Sequence, residues 1–377
     1  MLGLGRRLGA RLARYRAPLS RLHSAEVSMG SYRAQGRHER AQVGAARVLD
    51  GKRVAAEWLE AIAADVAALP VSCPRPSLAV VHVAHRADSA LYVERKREAC
   101  ARVGIDDWSV DLPPAISQAE LLRTVRELAA DKRVHGLLVQ LPLPAHLDEA
   151  EILNAIPTCK DVDAFNPVNA GRLAMRGREP AFLPCCPKGM LELLDRSGIS
   201  VVGKHACVIG SSNTVGNPLS SMLLKRGAAA VTVCDTRQAL SEEHRAQLTQ
   251  ISRSADLVVA AVGRAGLVTR SWVRPGAVVL DVGINTEGLV PGEHSADGRP
   301  FRVVGDVLHG EVSQVASALT PVPGGVGPMT IAALMQNTLL AAEHARRKQP
   351  GGKASKAASQ DSHGAGGDGK KFTDPAA

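Results

Sequence analysis

Residues 204–223 read KHACVIGSSNTVGNPLSSML, and their reading decides the fold. The apolar run His205–Ile209 predicts a buried strand, Gly210 to Gly216 a loop, and Pro218–Lys225 a helix with proline in its first turn. Glycines at such a turn let backbone approach a pyrophosphate, whose charge the helix N-terminus attracts. The spacing is G-x5-G rather than G-x-G-x-x-G, so a plain strand–helix turn is the alternative for the pattern alone. Context adds to it. The next strand, Val231–Cys234, ends at Asp235, 25 residues after Gly210, where an acid can grip an adenine-ribose hydroxyl. Strands Leu257–Ala261 and Val278–Val282 bring Gly263 and Gly283 to the same carboxyl edge.

Upstream, the periodicity also alternates between helix and strand, as in parallel α/β chains. Gly51–Leu69 predicts an amphipathic helix, Leu78–Val83 a buried strand, and a helix capped by Asp88 or Ser89 runs to Val103 before Gly104. A strand near Ser109–Leu112, a helix over Gln118–Ala130 and the strand Gly136–Gln140 follow, and Pro142 and Pro144 end the last one. The boundary between the two series falls near Pro184–Gly203, and Pro328–Arg347 is a last long helix. The expected fold is therefore two α/β domains flanking a cleft. The second is a Rossmann-like, parallel-sheet dinucleotide-binding domain.

The formal charge of +9 on 377 residues invites a nucleic-acid reading, which its distribution removes. Residues 1–42 carry nine Arg against two acids, and residues 43–348 are left with a net charge of only +1. Met1–Ser24 interleaves Arg with Leu and Ala and has no acid, the pattern of a mitochondrial presequence; a basic, membrane-surface tail is the alternative. Residues 26–42 read as a linker, and 349–377 is too poor in apolar residues to fold. No apolar run reaches the roughly 18–20 residues of a membrane span. The seven Cys are odd in number and lack paired C-x2-C spacing, which suits reduced thiols and no metal.

Chemistry concentrates in the first series. Tyr92 is the one Tyr between residues 43 and 348, and Lys96, four residues on, shares its helix face. A lysine facing an apolar cleft can act as acid or base, whereas a snorkelling surface lysine beside Arg95 and Arg97 is the plainer reading. Gln140 ends a buried strand, so its amide emerges at the sheet's carboxyl edge. Of Asp161 and Asp163, one can accept hydrogen bonds from a polar ring, or both can belong to a solvated turn. The loop Thr320-Pro-Val-Pro-Gly-Gly-Val-Gly-Pro-Met-Thr330 is stiff enough to press backbone against a flat ligand, or to be a connector.

In this order, these segments closely resemble the bifunctional methylenetetrahydrofolate dehydrogenase/methenyltetrahydrofolate cyclohydrolase family. The resemblance spans about Leu49 to Arg346. It rests on Tyr92–Lys96, Gly136–Pro144, Lys160–Asp163, Leu183–Gly189, Gly210–Pro218, Asp281–Asn285 and Thr320–Thr330. It implies oxidation of 5,10-methylenetetrahydrofolate with NAD(P), then hydrolysis of the methenyl product to 10-formyltetrahydrofolate. A dehydrogenase with a faded cyclohydrolase is the narrower alternative, against which the intact Tyr92, Lys96, Gln140 and Asp163 stand.

By resemblance, Lys96 is the central catalytic residue, Tyr92 packs on the folate, Gln140 tunes the lysine and Asp163 holds the pterin's amino edge. Leu141, Pro142, Pro323, Gly324 and Gly325 complete the substrate set. A lysine in water keeps its proton up to about 10.4, and desolvation by a stacked ring eases its release. Gly210, Ser211, Ser212, Gly216, Asp235, Thr236, Arg237, Gly263 and Ile284 are the cofactor positions. The resemblance also implies that the last helix (328–348) returns to the first domain (43–190), after the cofactor domain (191–327). Tetrahydrofolate derivatives are the expected partners, in a homodimer of the mitochondrial matrix or, failing the presequence, the cytoplasm.

Some residues depart from the family's pattern. Ala164 replaces a usual Gly, Cys186 a usual Thr, Ser211 a frequent Arg, and Asp235 a usual His. A carboxylate at Asp235 repels a 2′-phosphate and pulls from the family's NADP towards NAD, while Arg237 can still pair with that phosphate. The choice between NADP and NAD stays open.

Overall fold

The computed structural model describes residues 46–84, 87–236, 241–288 and 301–348; the expectations for 1–42, for 349–377 and for Arg237 lie outside them. The chain enters through β1 (Arg47–Val48), α1 (Gly51–Ala67), β2 (Ser77–Val83) and α2 (Ala87–Val103). It continues through β3 (Asp106–Asp107), β4 (Val110–Leu112), α3 (Gln118–Ala130), β5 (Gly136–Val139), α4 (Glu149–Asn154), α5 (Pro167–Ala174) and α6 (Cys185–Arg196). The second series runs β6 (His205–Ile209), α7 (Gly216–Lys225), β7 (Ala230–Cys234), α8 (Glu242–Arg253), β8 (Leu257–Ala260), β9 (Val278–Asp281) and the hairpin β10 (Asn285–Gly288) and β11 (Phe301–Val304). It closes with α9 (His309–Val312), β12 (Ala318–Leu319) and α10 (Val326–Lys348).

Two parallel sheets result. In the first, β2 pairs with β3 and β4 at one edge and with β5 at the other. Every residue of β2 and β5 is buried, which is why Leu78–Val81 and Gly136–Val139 read as unbroken apolar runs: helices cover both faces. The second sheet has the order β1-β12-β9-β8-β6-β7, all parallel, the doubly wound arrangement expected of residues 205–282. Its loops at the carboxyl ends of β6, β8 and β9 face one crevice, where such sheets take ligands.

One helix ties the molecule together. Met329, Ala332, Ala333, Met335 and Leu339 of α10 are buried, and it packs on α1, α2 and α6 and against β5, so it belongs to the first unit. Its small side chains let these neighbours approach closely. In return, β1 precedes α1 yet completes the second sheet through β12, so the chain crosses between units at both ends.

The structure adds helices that the sequence reading treats as connection: α4, α5, α6, α8 and the short α9. The stretch named as the boundary contains α6, with Pro187 and Gly189 in its first turns. Those two residues disguise its start, although proline is tolerated where the first N–H groups have no intrahelical partner. A division at residue 190 passes through this helix. The long last helix begins at Val326, two residues before Pro328.

Candidate active site

β5 ends at Val139, so Gln140 leaves the sheet while its own N–H still donates to the Val81 carbonyl at 2.8 Å. Lys96 reaches it from α2, its Nζ donating to Gln140 Oε1 at 2.9 Å. Gln140 Nε2 donates to the Leu141 carbonyl at 2.8 Å, which keeps the amide oxygen turned to the ammonium. Lys96 is 8% exposed, so the snorkelling geometry is not the one adopted. Its neighbour Arg97 turns the other way, to Asp111 at 2.7 Å and Asp107 at 3.6 Å. One turn before Lys96, the Tyr92 hydroxyl lies 3.4 Å from the point where a Cβ on Gly327 would sit. The phenol therefore faces the Gly/Pro loop.

That loop is held by contacts too close for side chains. A Cβ on Gly51 would stand 1.8 Å from the Gly325 carbonyl oxygen, and the Lys52 N–H donates to the Gly324 carbonyl at 2.8 Å. The first turn of α1 thus anchors Gly324 and Gly325. The Leu141–Pro142 and Val322–Pro323 peptide bonds are cis.

The two acids of residues 160–163 divide their work. Asp161 is buried and accepts from the Phe165 N–H at 3.1 Å, the Asn166 N–H at 2.9 Å and Asn169 Nδ2 at 2.8 Å. It shapes the turn into α5, and burial raises its carboxyl to about 6 against the pull of those donors. Asp163 is half-buried near the Cys185 thiol, which itself donates to the Val162 carbonyl at 3.2 Å. Burial first, then the Asp163 charge, pushes that thiol's pKa well above its ordinary value and keeps it protonated, while Lys188 and Lys96 oppose the shift. Asp163, Cys185, Lys188 and Lys96 therefore share one neighbourhood. Ala164 follows with φ +60°, a left-handed conformation natural to glycine.

Sequence reasoning missed two supports of this loop. Lys188 Nζ donates to Asn337 Oδ1 at 2.7 Å, and Asn337 Nδ2 donates to the Val162 and Leu183 carbonyls at 2.7 and 2.9 Å. Burial draws the Lys188 ammonium down to about 8. The last helix thereby grips the Asp163 loop from behind. Cys186, where a threonine was usual, lies against Thr330, and burial pushes its thiol up to about 12.

At the edge of the second sheet, Gly210 has φ +115° and no room for a Cβ, which would meet the Ala261 carbonyl oxygen at 2.0 Å. The hydroxyl of Ser211 is buried without a hydrogen-bond partner. Ser212 Oγ accepts from the Val215 N–H at 3.1 Å and the Gly216 N–H at 3.4 Å, which starts α7. Beyond β7, Asp235 is exposed and Thr236 is buried. Ile284 is 46% exposed, an apolar side chain set out at the sheet edge. A cramped glycine, an orphaned hydroxyl and a helix N-terminus suit a dinucleotide.

Asp281 and Asp306, the second unremarked in sequence, organise that edge. Asp306 Oδ2 accepts from the Val262 N–H at 2.6 Å and the Gly263 N–H at 3.0 Å, and its Oδ1 accepts from the Arg264 N–H and Asn285 Nδ2, both at 2.9 Å. Asp281 accepts from the N–H groups of Gly283, Asp306 and Val307 at 3.1, 2.9 and 3.1 Å. A Cβ on Gly283 would strike the Asp306 carboxylate and one on Gly305 the Asp281 carboxylate, so each acid fills space left by a glycine. Burial raises Asp281 to about 7 against its three donors. An acid soon after a strand, in Val304-Gly-Asp-Val307, was the available signal.

Comparison with known proteins agrees with this geometry. Residues 49–163 match the tetrahydrofolate dehydrogenase/cyclohydrolase catalytic domain, and residues 184–346 match the NAD(P)-binding domain of the same family. The chain is 50% identical to bifunctional protein FolD 4, chloroplastic, of Arabidopsis thaliana, over 80% of each chain. It is 46% identical to bifunctional protein FolD 1, mitochondrial, of the same plant, over 78% of this chain and 81% of that one. Among solved structures, the Trypanosoma brucei methylenetetrahydrofolate dehydrogenase-cyclohydrolase, complexed with NADP and inhibitor, superposes with a TM-score of 0.75 at 37% identity, covering 81% of this chain and 99% of that one.

Proposed function

The chain belongs to the tetrahydrofolate dehydrogenase/cyclohydrolase family, and from that premise we propose which of its residues carry the two reactions. It oxidises 5,10-methylenetetrahydrofolate to 5,10-methenyltetrahydrofolate and hydrolyses the latter to 10-formyltetrahydrofolate. The observation that carries the assignment is the buried Lys96 Nζ bonded to Gln140 Oε1 at 2.9 Å.

Lys96 acts in the hydrolytic step. With Gln140 Oε1 accepting one of its N–H groups, Nζ takes a proton from the water that attacks the methenyl carbon and delivers one to the ring nitrogen that departs. Water adds to that carbon, the carbon–nitrogen bond at N5 breaks, and one proton is released overall. Tyr92 and residues 323–325 clamp the substrate's flat part, Leu141 and Pro142 line it, and Asp163 accepts from the pterin's amino edge. The bound nicotinamide dinucleotide supplies the hydride acceptor for the oxidation. Gly210, Ser211, Ser212, Gly216, Asp235, Thr236, Gly263 and Ile284 would hold it, so the protein's part in that step is positioning.

The test is turnover by purified protein: reduction of NAD or NADP with methylenetetrahydrofolate, and loss of the methenyl chromophore without dinucleotide. Absence of both defeats the assignment. Rates with both dinucleotides on wild type and Asp235→His decide cofactor preference; the substitution is expected to move it towards NADP.

Two further readings belong here. β7 is an edge strand with Val233 37% exposed, and Val202 at 60% and Leu224 at 53% are further exposed apolar residues of the same unit, which suits pairing of two copies through the cofactor units. Light scattering should give twice the chain mass, and a monomer refutes the pairing. The Arg-rich residues 1–42 direct the chain to the mitochondrial matrix; a fluorescent fusion of those residues that stays in the cytosol refutes it.

A further inference from the structure

A cavity of about 350 Å³ opens at the amino end of β5, the end opposite Gln140. Its lining comes from the carboxyl end of α3, the turn before Asp161 and the last turns of α10. Four basic side chains reach it, Lys132, His135, Lys160 and His344, and no acid is among the described residues that line it. Asp131, beside Lys132, is turned to Arg133 at 2.7 Å. Ala129, Val134 and Ala341 give the cavity an apolar wall.

Its basic groups crowd one another. His135 is 7% exposed, and its Nδ1 lies 3.0 Å from Ser77 Oγ, so Nε2 is the ring nitrogen left to the cavity. Burial, then the Lys160 charge, draws that imidazole below its ordinary range. Burial also lowers Lys160, whose Nζ donates to the Asp131 carbonyl at 2.6 Å. An anion among these groups would offset both effects. The volume falls in the lower part of the range of small-ligand sites, about 300–1,000 Å³. A bare inorganic anion would leave the apolar wall uncovered. A short hydrocarbon carrying two carboxylates satisfies wall and charges together.

We propose that this cavity is a second ligand site, for a short organic dicarboxylate, and that its occupancy steadies the Asp163 loop. Its walls lead to the residues of the active site. His135 directly precedes the strand whose far end presents Gln140. The Lys160 carbonyl accepts from the Leu137 N–H at 2.8 Å, and Asp163 follows three residues later. On α10, Ala341 lies one turn beyond Asn337, which donates to the Val162 carbonyl. The coupling rests on the assignment of Asp163 to the folate, whereas the binding does not.

Calorimetry on the full chain should compare succinate with 1,4-butanediol, which keeps the body without charge, and with inorganic phosphate, which keeps charge without the body. Succinate should bind about tenfold more tightly than either. Lys132→Glu should weaken it about tenfold, and Ala130→Phe, which fills the cavity from an exposed position, should abolish binding. Bound succinate should also shield Cys159, an exposed thiol of the same lining, from iodoacetamide. Phosphate binding as tightly as succinate, or succinate binding that survives both substitutions, overturns the site. In turnover, saturating succinate should lower KM for methylenetetrahydrofolate about fivefold on wild type but not on Lys132→Glu. KM for the dinucleotide should stay within about twofold. An unchanged folate KM overturns the coupling, and a competitive rise places succinate in the folate site instead and overturns the proposal. A wild-type chain that binds succinate yet turns over no folate overturns the assignment of Asp163 and its neighbours, not the second site.

Discussion

Asp306 accepts hydrogen bonds from three consecutive backbone N–H groups and from the Asn285 side chain, so it holds two loops of the cofactor edge together. Asp306→Asn replaces an acceptor by a donor against those N–H groups. We expect KM for the dinucleotide to rise about tenfold or more, since hydrogen bonds to charged groups are worth about 1.5–3 kcal/mol. Hydrolysis of the methenyl substrate needs no dinucleotide and should change little, which separates positioning from general damage to the fold. Ala164 offers the opposite case. Its φ of +60° costs an L-residue about 1–2 kcal/mol, so Ala164→Gly should raise stability in chemical denaturation, by about 1 kcal/mol or less after the added freedom of the unfolded chain. A loss of stability would show that the buried methyl contributes more than the conformation costs. The residue pattern revealed the Lys96, Gln140 and Asp163 segments because each pairs a polar group with a strand end or helix face. It hid Asp306, Lys188 and Asn337, whose partners lie up to 175 residues away in Asn337's bond to Val162.

Among the elements, those with one dominant signal were legible. α3 has the bounds expected from sequence, Gln118–Ala130; in the structure Ser117 and Glu120 form a complete capping box at its start, and its apolar face is buried at Leu121, Leu122 and Val125. Ser117→Ala should therefore cost about 1 kcal/mol, measured as a fall in Tm of about 2–4 °C; an unchanged melt would mean that the cap adds nothing. The central strands were legible for a different reason, burial on both faces. β1 and β12 are two residues each and carry no period to read; only the finished sheet makes them strands. α6 is long enough to have been found, yet Pro187 and Gly189 sit where a helix pattern is first sought.

For the whole molecule, the two units are joined by crossings that no local pattern announces. β1 belongs to the second sheet, while α10 returns to α1 and α6 and, through Asn337, supports the carbonyl beside Asp163. The last helix thus connects the Gly/Pro loop at its start with the acid loop along its length. The net charge follows the same division: residues 43–348, which hold the chemistry, carry +1 of the +9. At the centre stands Lys96, buried against Gln140 and one helical turn from Tyr92. The most direct measurement is hydrolysis of methenyltetrahydrofolate by Lys96→Gln, with thermal melting to verify its fold. A folded variant whose hydrolysis falls by about a hundredfold or more, the range of general acid–base contributions, is the predicted result; one that hydrolyses at the wild-type rate would contradict the role assigned to Lys96.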